Sequence, residues 1–230
     1  MKSDLTEWSW IAPMLHFADS ALPVGAYAHS LGLEGMCQEG VVRDEKSLRE
    51  FLLRDVAHGL VKVELPLLAR VHSAVLDGDA EAVRRWDQWA HALRATRQLR
   101  EAASKVGRQT WLLYCRTWRA GDAVVQRDWF THFQVPVVLG AVLGERGVPV
   151  EGALWVGAYQ AYSALLQAAL KLLPLGPGAT QAILQEALSA VEAEFAGVLA
   201  CGDDELGTFN PLWDIAAARH ERAGARMFIS

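Results

Sequence analysis

The nineteen residues from Gly152 to Leu170 contain no charged side chain. At 3.6 residues per turn, Trp155, Val156, Tyr159, Tyr162 and Leu166, with Leu173 beyond, leave no wholly polar face. A helix that is apolar all round must be covered all round. Such a stretch is nearly long enough to span a bilayer. Its content argues otherwise: Gln160, Ser163, Gln167, two glycines and several alanines make it only moderately apolar, and no basic cluster flanks one end. The pattern predicts an all-α, single-domain helical bundle built around a central apolar helix at about 150–173, and no membrane span.

The rest of the chain supplies the cover. At 230 residues it can form one sizeable core, and no Pro/Gly/Ser-rich linker divides it, so 1–230 reads as a single domain. A hydrophobic share of 52% with 21% charged residues excludes disorder over most of the length. The formal charge of -5 gives no general attraction to phosphate backbones, which disfavours nucleic acid as a partner. Cys37, Cys115 and Cys201 lie far apart without a Cys-x-x-Cys pair, signalling neither a disulfide framework nor a zinc site. A reducing cytoplasm fits this usage, and the first residues lack the apolar core of a signal peptide.

Around the central helix the periodicity predicts further helices. Asp44 is a cap for one with Leu48, Phe51, Leu52, Val56 and Leu60 on a stripe. Pro66 suits the first turn of a new helix that stops at Asp77-Gly-Asp79. From Asp79 to about Trp118 the helical pattern is too long for one globular helix, so a bend or break is expected near His91 to Ala95. The basic series Arg94, Arg97, Arg100, Lys105 and Arg108 reads as a solvated face, with an acidic partner as the alternative. A polar connector follows from Gly121 to Thr131, then a short apolar helix from Pro136 to Leu143. Beyond the central helix comes one stripe of Ile183, Leu184, Leu188, Val191, Phe195 and Leu199.

Asp19 to Glu34 is the least ordinary stretch. Pro23 fixes its own backbone and extends Leu22, Gly25 permits a turn, and a helical pattern begins at about Tyr27. On such a helix Tyr27, Ser30, Leu31 and Glu34 share a face, with His29 beside it. Taken singly, Asp19 or Ser20 is a turn cap, His29 a hydrogen-bonded interior histidine and Glu34 a solvated acid.

Taken together, these residues resemble the signature of the urease accessory protein family UreF. There the N-terminal pattern is Asp-Ser-x-Leu-Pro-[Ile/Val]-Gly-Gly-[Phe/Tyr]-x-x-Ser-x-Gly-Leu-Glu, and Asp19 to Glu34 follows it except at Ala26. Arg100-Glu101 with Gly107-Arg108, and the turn Lys171-Leu-Leu-Pro-Leu-Gly176, are weaker matches. Pro177 begins a departure from the family's Gln-Thr-Asp-Gly-Gln. At the C-terminus Asp214, Ile215, His220, Glu221, Arg226, Phe228 and Ser230 match, whereas Ile229 stands where arginine is common.

The chain lacks a phosphate-binding Gly-x-x-x-x-Gly-Lys-[Ser/Thr], a Gly-x-Ser-x-Gly elbow and a His-Glu-x-x-His helix. The rival reading is a metal-dependent helical enzyme using His29, Glu34, His220 and Glu221, although nothing in the sequence brings the two pairs together. The resemblance implies a protein with no catalysis and no cofactor of its own. It also implies a complex with a UreD/UreH-like protein and the GTPase UreG that delivers nickel to apo-urease, with this subunit present as a homodimer. Partner binding is expected at Tyr27, His29, Ser30 and Glu34, and on a tail at about 211–230 bearing Arg219, His220, Glu221, Arg222, Arg226 and Phe228. That tail, short and glycine-interrupted, is expected to order on a partner. No metal is expected to bind tightly; nickel passage past His29 and Glu34 is the second expectation.

Overall fold

The computed structural model describes residues 7–118 and 129–229. Among these the regular elements are all helical: α1 Ile11–Ala18, α2 Leu33–Gln38, α3 Glu45–Glu50, α4 Ala57–Gly59, α5 Leu65–Leu76, α6 Ala80–Ala92, α7 Arg97–Trp118, α8 Val135–Glu145, α9 Val150–Leu172, α10 Pro177–Glu192, α11 Phe195–Ala200 and α12 Pro211–His220. Ser230 and most of the connector expected over 121–131 lie outside the described residues. No helix among the described residues is long and apolar enough to cross a membrane.

The uncharged stretch forms α9, covered by α1, α2, α5, α8 and α10. Its neighbour α8 is buried from Pro136 to Gly144 without interruption and lies against α5, α6 and α7 as well. One hydrophobic core runs through all of these, from Phe17 to Phe228. Close approach is built in. Gly140 has no room for a Cβ against the Leu68 carbonyl, nor Gly107 against the Phe133 carbonyl.

Asp44 caps α3 as expected, accepting from Ser47 N at 2.8 Å while Ser47 Oγ accepts from Asp44 N at 3.1 Å. Pro66 sits in the first turn of α5 as expected, but no break separates α5 from what precedes it. Residues 45–76 are helical throughout, because π-turns at Phe51–Val56 and Leu60–Glu64 join α3, α4 and α5. A proline inside an α-helix cannot bond the carbonyl four residues back and its ring collides with it. The wide turn just before Pro66 relieves that conflict, and the freed Lys62 carbonyl accepts Gly207 N at 3.2 Å.

The expected break falls between α6 and α7. Within α6 the buried carboxylate of Asp87 accepts the backbone N–H groups of Thr131, His132, Phe133 and Gln134 at the entry to α8, at 2.5 to 3.2 Å. The basic series is not simply a solvated face. Arg94 bonds Gln134 and Glu64, Arg100 holds the break through the carbonyls of Arg94 and Ala95, and Arg108 lies over the Phe133 ring. Arg97 pairs with Glu101 and Glu221. The long stripe after α9 also divides, at Ala193 and Glu194, which leaves Leu199 at 44% exposure.

Candidate functional site

The two ends of the chain interlock. Gly25, at φ +79°, turns the chain into a 3-10 turn over Ala26–Ala28, and Leu31 and Gly32 follow with φ of +53° and +86°. Leu31 is strained there, and its carbonyl accepts Trp213 Nε1 from α12 at 3.0 Å. These consecutive left-handed residues prevent one helix from running Tyr27 to Glu34. The expected shared face is therefore replaced by a 3-10 turn, a kink and the separate helix α2. Tyr27 points into solvent at 73% exposure, while His29, Ser30 and Glu34 are buried.

α2 lies on α12, and the fit requires small residues. A Cβ on Gly35 would stand 2.5 Å from the Ala216 carbonyl oxygen, and one on Gly32 would strike the Trp213 indole. This contact brings Glu34 to His220, whose Nε2 is 2.8 Å from Glu34 Oε2. The same carboxylate accepts Met227 N at 2.8 Å and Phe228 N at 2.9 Å. Glu34 is thus a buried, fully engaged acid, not the solvated one expected from its residue type alone. Burial pushes its carboxyl up, but the N–H groups of Met227 and Phe228 and the His220 imidazole outweigh this and hold it below its ordinary value.

Gln98 of α7 completes the arrangement. Its Nε2 donates to the Ile229 carbonyl at 2.6 Å and lies 3.4 Å from His220 Nδ1. With His220 Nε2–H donating to Glu34, Nδ1 is the acceptor for Gln98, an assignment fixed by the network. Ile229 N donates to the Ala28 carbonyl at 2.9 Å, and Gln38 Nε2 reaches the Ala225 carbonyl at 3.4 Å. Residues 225–229 are therefore held by their main chain on α2, α7 and the 3-10 turn.

In the described structure the tail as far as Ile229 packs against the rest of the chain. Phe228 is 5% exposed, under Lys171, whereas Met227 and Ile229 point outward at 60% and 57%. Of the tail's charges, Arg219 pairs with Glu39 and Glu221 with Arg97, while Arg222 and Arg226 are exposed. Sequence reasoning missed Gln98, since a lone glutamine on a helix carries no pattern.

The four residues of the metal-enzyme reading separate into pairs. Glu34 and His220 bond each other, while His29 and Glu221 line a small pocket beside the tail. Among the described residues no group of three or more His, Cys, Asp or Glu is placed to hold a metal ion. Burial and the nearby Lys105 hold the His29 imidazole below its usual pKa.

The three departures noted in the sequence have local explanations. Gly25 supplies the left-handed residue, and Ala26 opens the 3-10 turn without needing positive φ. Pro177 occupies the first turn of α10, where its missing N–H costs nothing. Residue 229 is held through backbone atoms, so an isoleucine there loses no anchoring contact.

Comparison with known proteins yields a family-model match to UreF over residues 42–188. The chain is 36% identical over 221 residues to the urease accessory protein UreF of Chromohalobacter salexigens, covering 96% of this chain and 94% of that protein. To the UreF of Klebsiella pneumoniae it is 34% identical over 221 residues, covering 94% of this chain and 96% of the other. The bifunctional urease accessory protein UreEF of Bordetella bronchiseptica is 30% identical over 224 residues, 96% of this chain and 52% of that protein. These matches cover 94–96% of this chain and so extend beyond residues 42–188 on both sides.

Proposed function

The chain belongs to the UreF family of urease accessory proteins, and from that premise we propose that it is the non-catalytic subunit that bridges a UreD/UreH-like protein and the GTPase UreG during nickel delivery to apo-urease. A bridging subunit needs two stable surfaces and a differential affinity for the nucleotide states of its GTPase, and needs no nucleophile. The face built from the 3-10 turn and the tail fits the first requirement. It presents Tyr27, Arg222, Arg226, Met227 and Ile229 to solvent on a backbone that Glu34, Gln98 and the Ala28 carbonyl fix in place.

That fixed backbone is the observation that carries the reading. Its side chains are pre-organised, so little ordering cost opposes association. His29, Ser30, Glu34, His220 and Phe228 support this face from below. The carboxylate of Glu34 already accepts three hydrogen bonds, which favours a clasp over a nickel transit ligand. The same face in duplicate, in a homodimer, would present two copies to the partners.

The test is reconstitution of apo-urease with nickel, GTP, the UreD-like protein and UreG, with and without this chain. Urease activity and GTP hydrolysis coupled to it are expected only in the complete mixture. Equal activation without the chain refutes the proposal.

A further inference from the structure

A pocket of about 170 Å³ opens between α7 and the tail, with His29, Glu101, Lys105, Glu221, Arg226 and Ile229 in its lining. His29, at 6% exposure, is its most deeply buried polar group. Both acids are already engaged, since Arg97 pairs with Glu101 at 3.2 Å and also with Glu221. Lys105 and Arg226 are exposed and have no hydrogen-bond or ion-pair partner among the described residues. Counting Arg97, three cations face two carboxylates, which leaves one positive charge in excess around a neutral imidazole.

That excess stands on a chain whose formal charge is -5. Overall electrostatics would repel an acidic partner, so attraction to one must be local. Ile229 of the lining, Met227 next to Arg226 in the chain and Tyr27 two residues before His29 are each more than half exposed, on segments joined by the Ile229 N to Ala28 O bond. An apolar ledge next to two unpaired cations, with one positive charge in excess, suits one acidic side chain projecting from an apolar surface. Covering the ledge removes water and strengthens the ion pairs formed in the pocket.

We propose that this pocket receives the carboxylate of an aspartate or glutamate of a partner protein, seated between Lys105 and Arg226, while the flanking apolar residues of that partner cover Tyr27, Met227 and Ile229. This rests on the reading of the tail face as a partner surface and specifies the chemistry that docks there.

The experiment measures assembly of the full chain with the UreD-like protein and UreG at about 50 and about 300 mM salt. Lys105→Gln and Arg226→Gln are each expected to weaken assembly roughly tenfold at the lower salt and to flatten its salt dependence, while Lys105→Arg stays within about twofold. Amide exchange at Met227 and Phe228 verifies that the tail is still docked in each variant. If both glutamine variants assemble like the unmodified chain at both salts, the pocket proposal is overturned and the bridging function stands. A self-association of the chain alone that Lys105→Gln abolishes assigns the pocket to a second copy and overturns it too. If the unmodified chain assembles with neither protein, the functional reading itself fails.

Discussion

Replacing Glu34 by glutamine keeps the shape of the side chain while removing its charge and turning one acceptor into a donor. The carboxylate accepts from Met227 N, Phe228 N and His220 Nε2, all within 2.9 Å and away from solvent. A hydrogen bond to a charged group contributes about 1.5–3 kcal/mol and a neutral one about 1 kcal/mol, so two retained bonds lose about 2 kcal/mol together. The third N–H now faces an NH₂ group and adds about 1–3 kcal/mol. The tail can escape part of this by undocking and rehydrating its amides, at the cost of exposing Phe228, about 2–3 kcal/mol. The net effect should be about 3 kcal/mol, appearing as local opening of residues 225–229 rather than global unfolding. Residue-resolved amide exchange at neutral pH should then show protection at Met227, Phe228 and Ile229 falling about 100-fold in Glu34→Gln. Protection within about threefold of the unmodified chain, in a folded variant, would refute the clasp. Acid should act likewise. The folded-state carboxyl lies below its ordinary value, so its contribution is complete above the unfolded pKa and is lost as pH falls through the lower folded one.

Three further outcomes follow from other parts of the fold. Tyr162→Phe should leave stability unchanged or raise it by up to about 1 kcal/mol in urea unfolding, because the buried Tyr162 hydroxyl has no hydrogen-bond partner among the described residues. Gly107→Ala should cost about 3 kcal/mol in the same assay, since its methyl would meet the Phe133 carbonyl, a backbone atom that Asp87 holds in place. The His91 and His132 rings stack at 3.8 Å, and burial followed by His132 and Arg100 lowers the His91 pKa. The neutral ring is therefore favoured by folding. Stability should fall as pH drops from above the ordinary histidine value through the lower folded one, and His91→Gln should flatten that segment of the stability profile.

Helices with an unmistakable apolar pattern were readable without coordinates. The break after α6, the bounds of α8 and α9 and the cap at Asp44 all follow from periodicity and local chemistry. Features that depend on distant atoms were not. Pro66 stays inside a helical run because a π-turn precedes it and Gly207, far along the chain, takes the Lys62 carbonyl. The helix expected from Tyr27 fails at Leu31, a residue with no local reason for positive φ, held by the indole of Trp213. The basic series looked solvated because its partners, among them Glu64, Gln134 and Glu221, lie elsewhere in the sequence. Glu34, His29 and His220 stood out through family resemblance, but their geometry required the two ends to meet.

The division of labour within the last five described residues has an evolutionary consequence. Backbone amides and carbonyls do the fastening, whereas the outward side chains of Arg226, Met227 and Ile229 take no part in it. Substitutions at those three positions should therefore leave the docked shape intact. On the proposed reading of this face as a partner surface, a lineage can exchange partners, or co-adapt with a drifting one, without first becoming unstable.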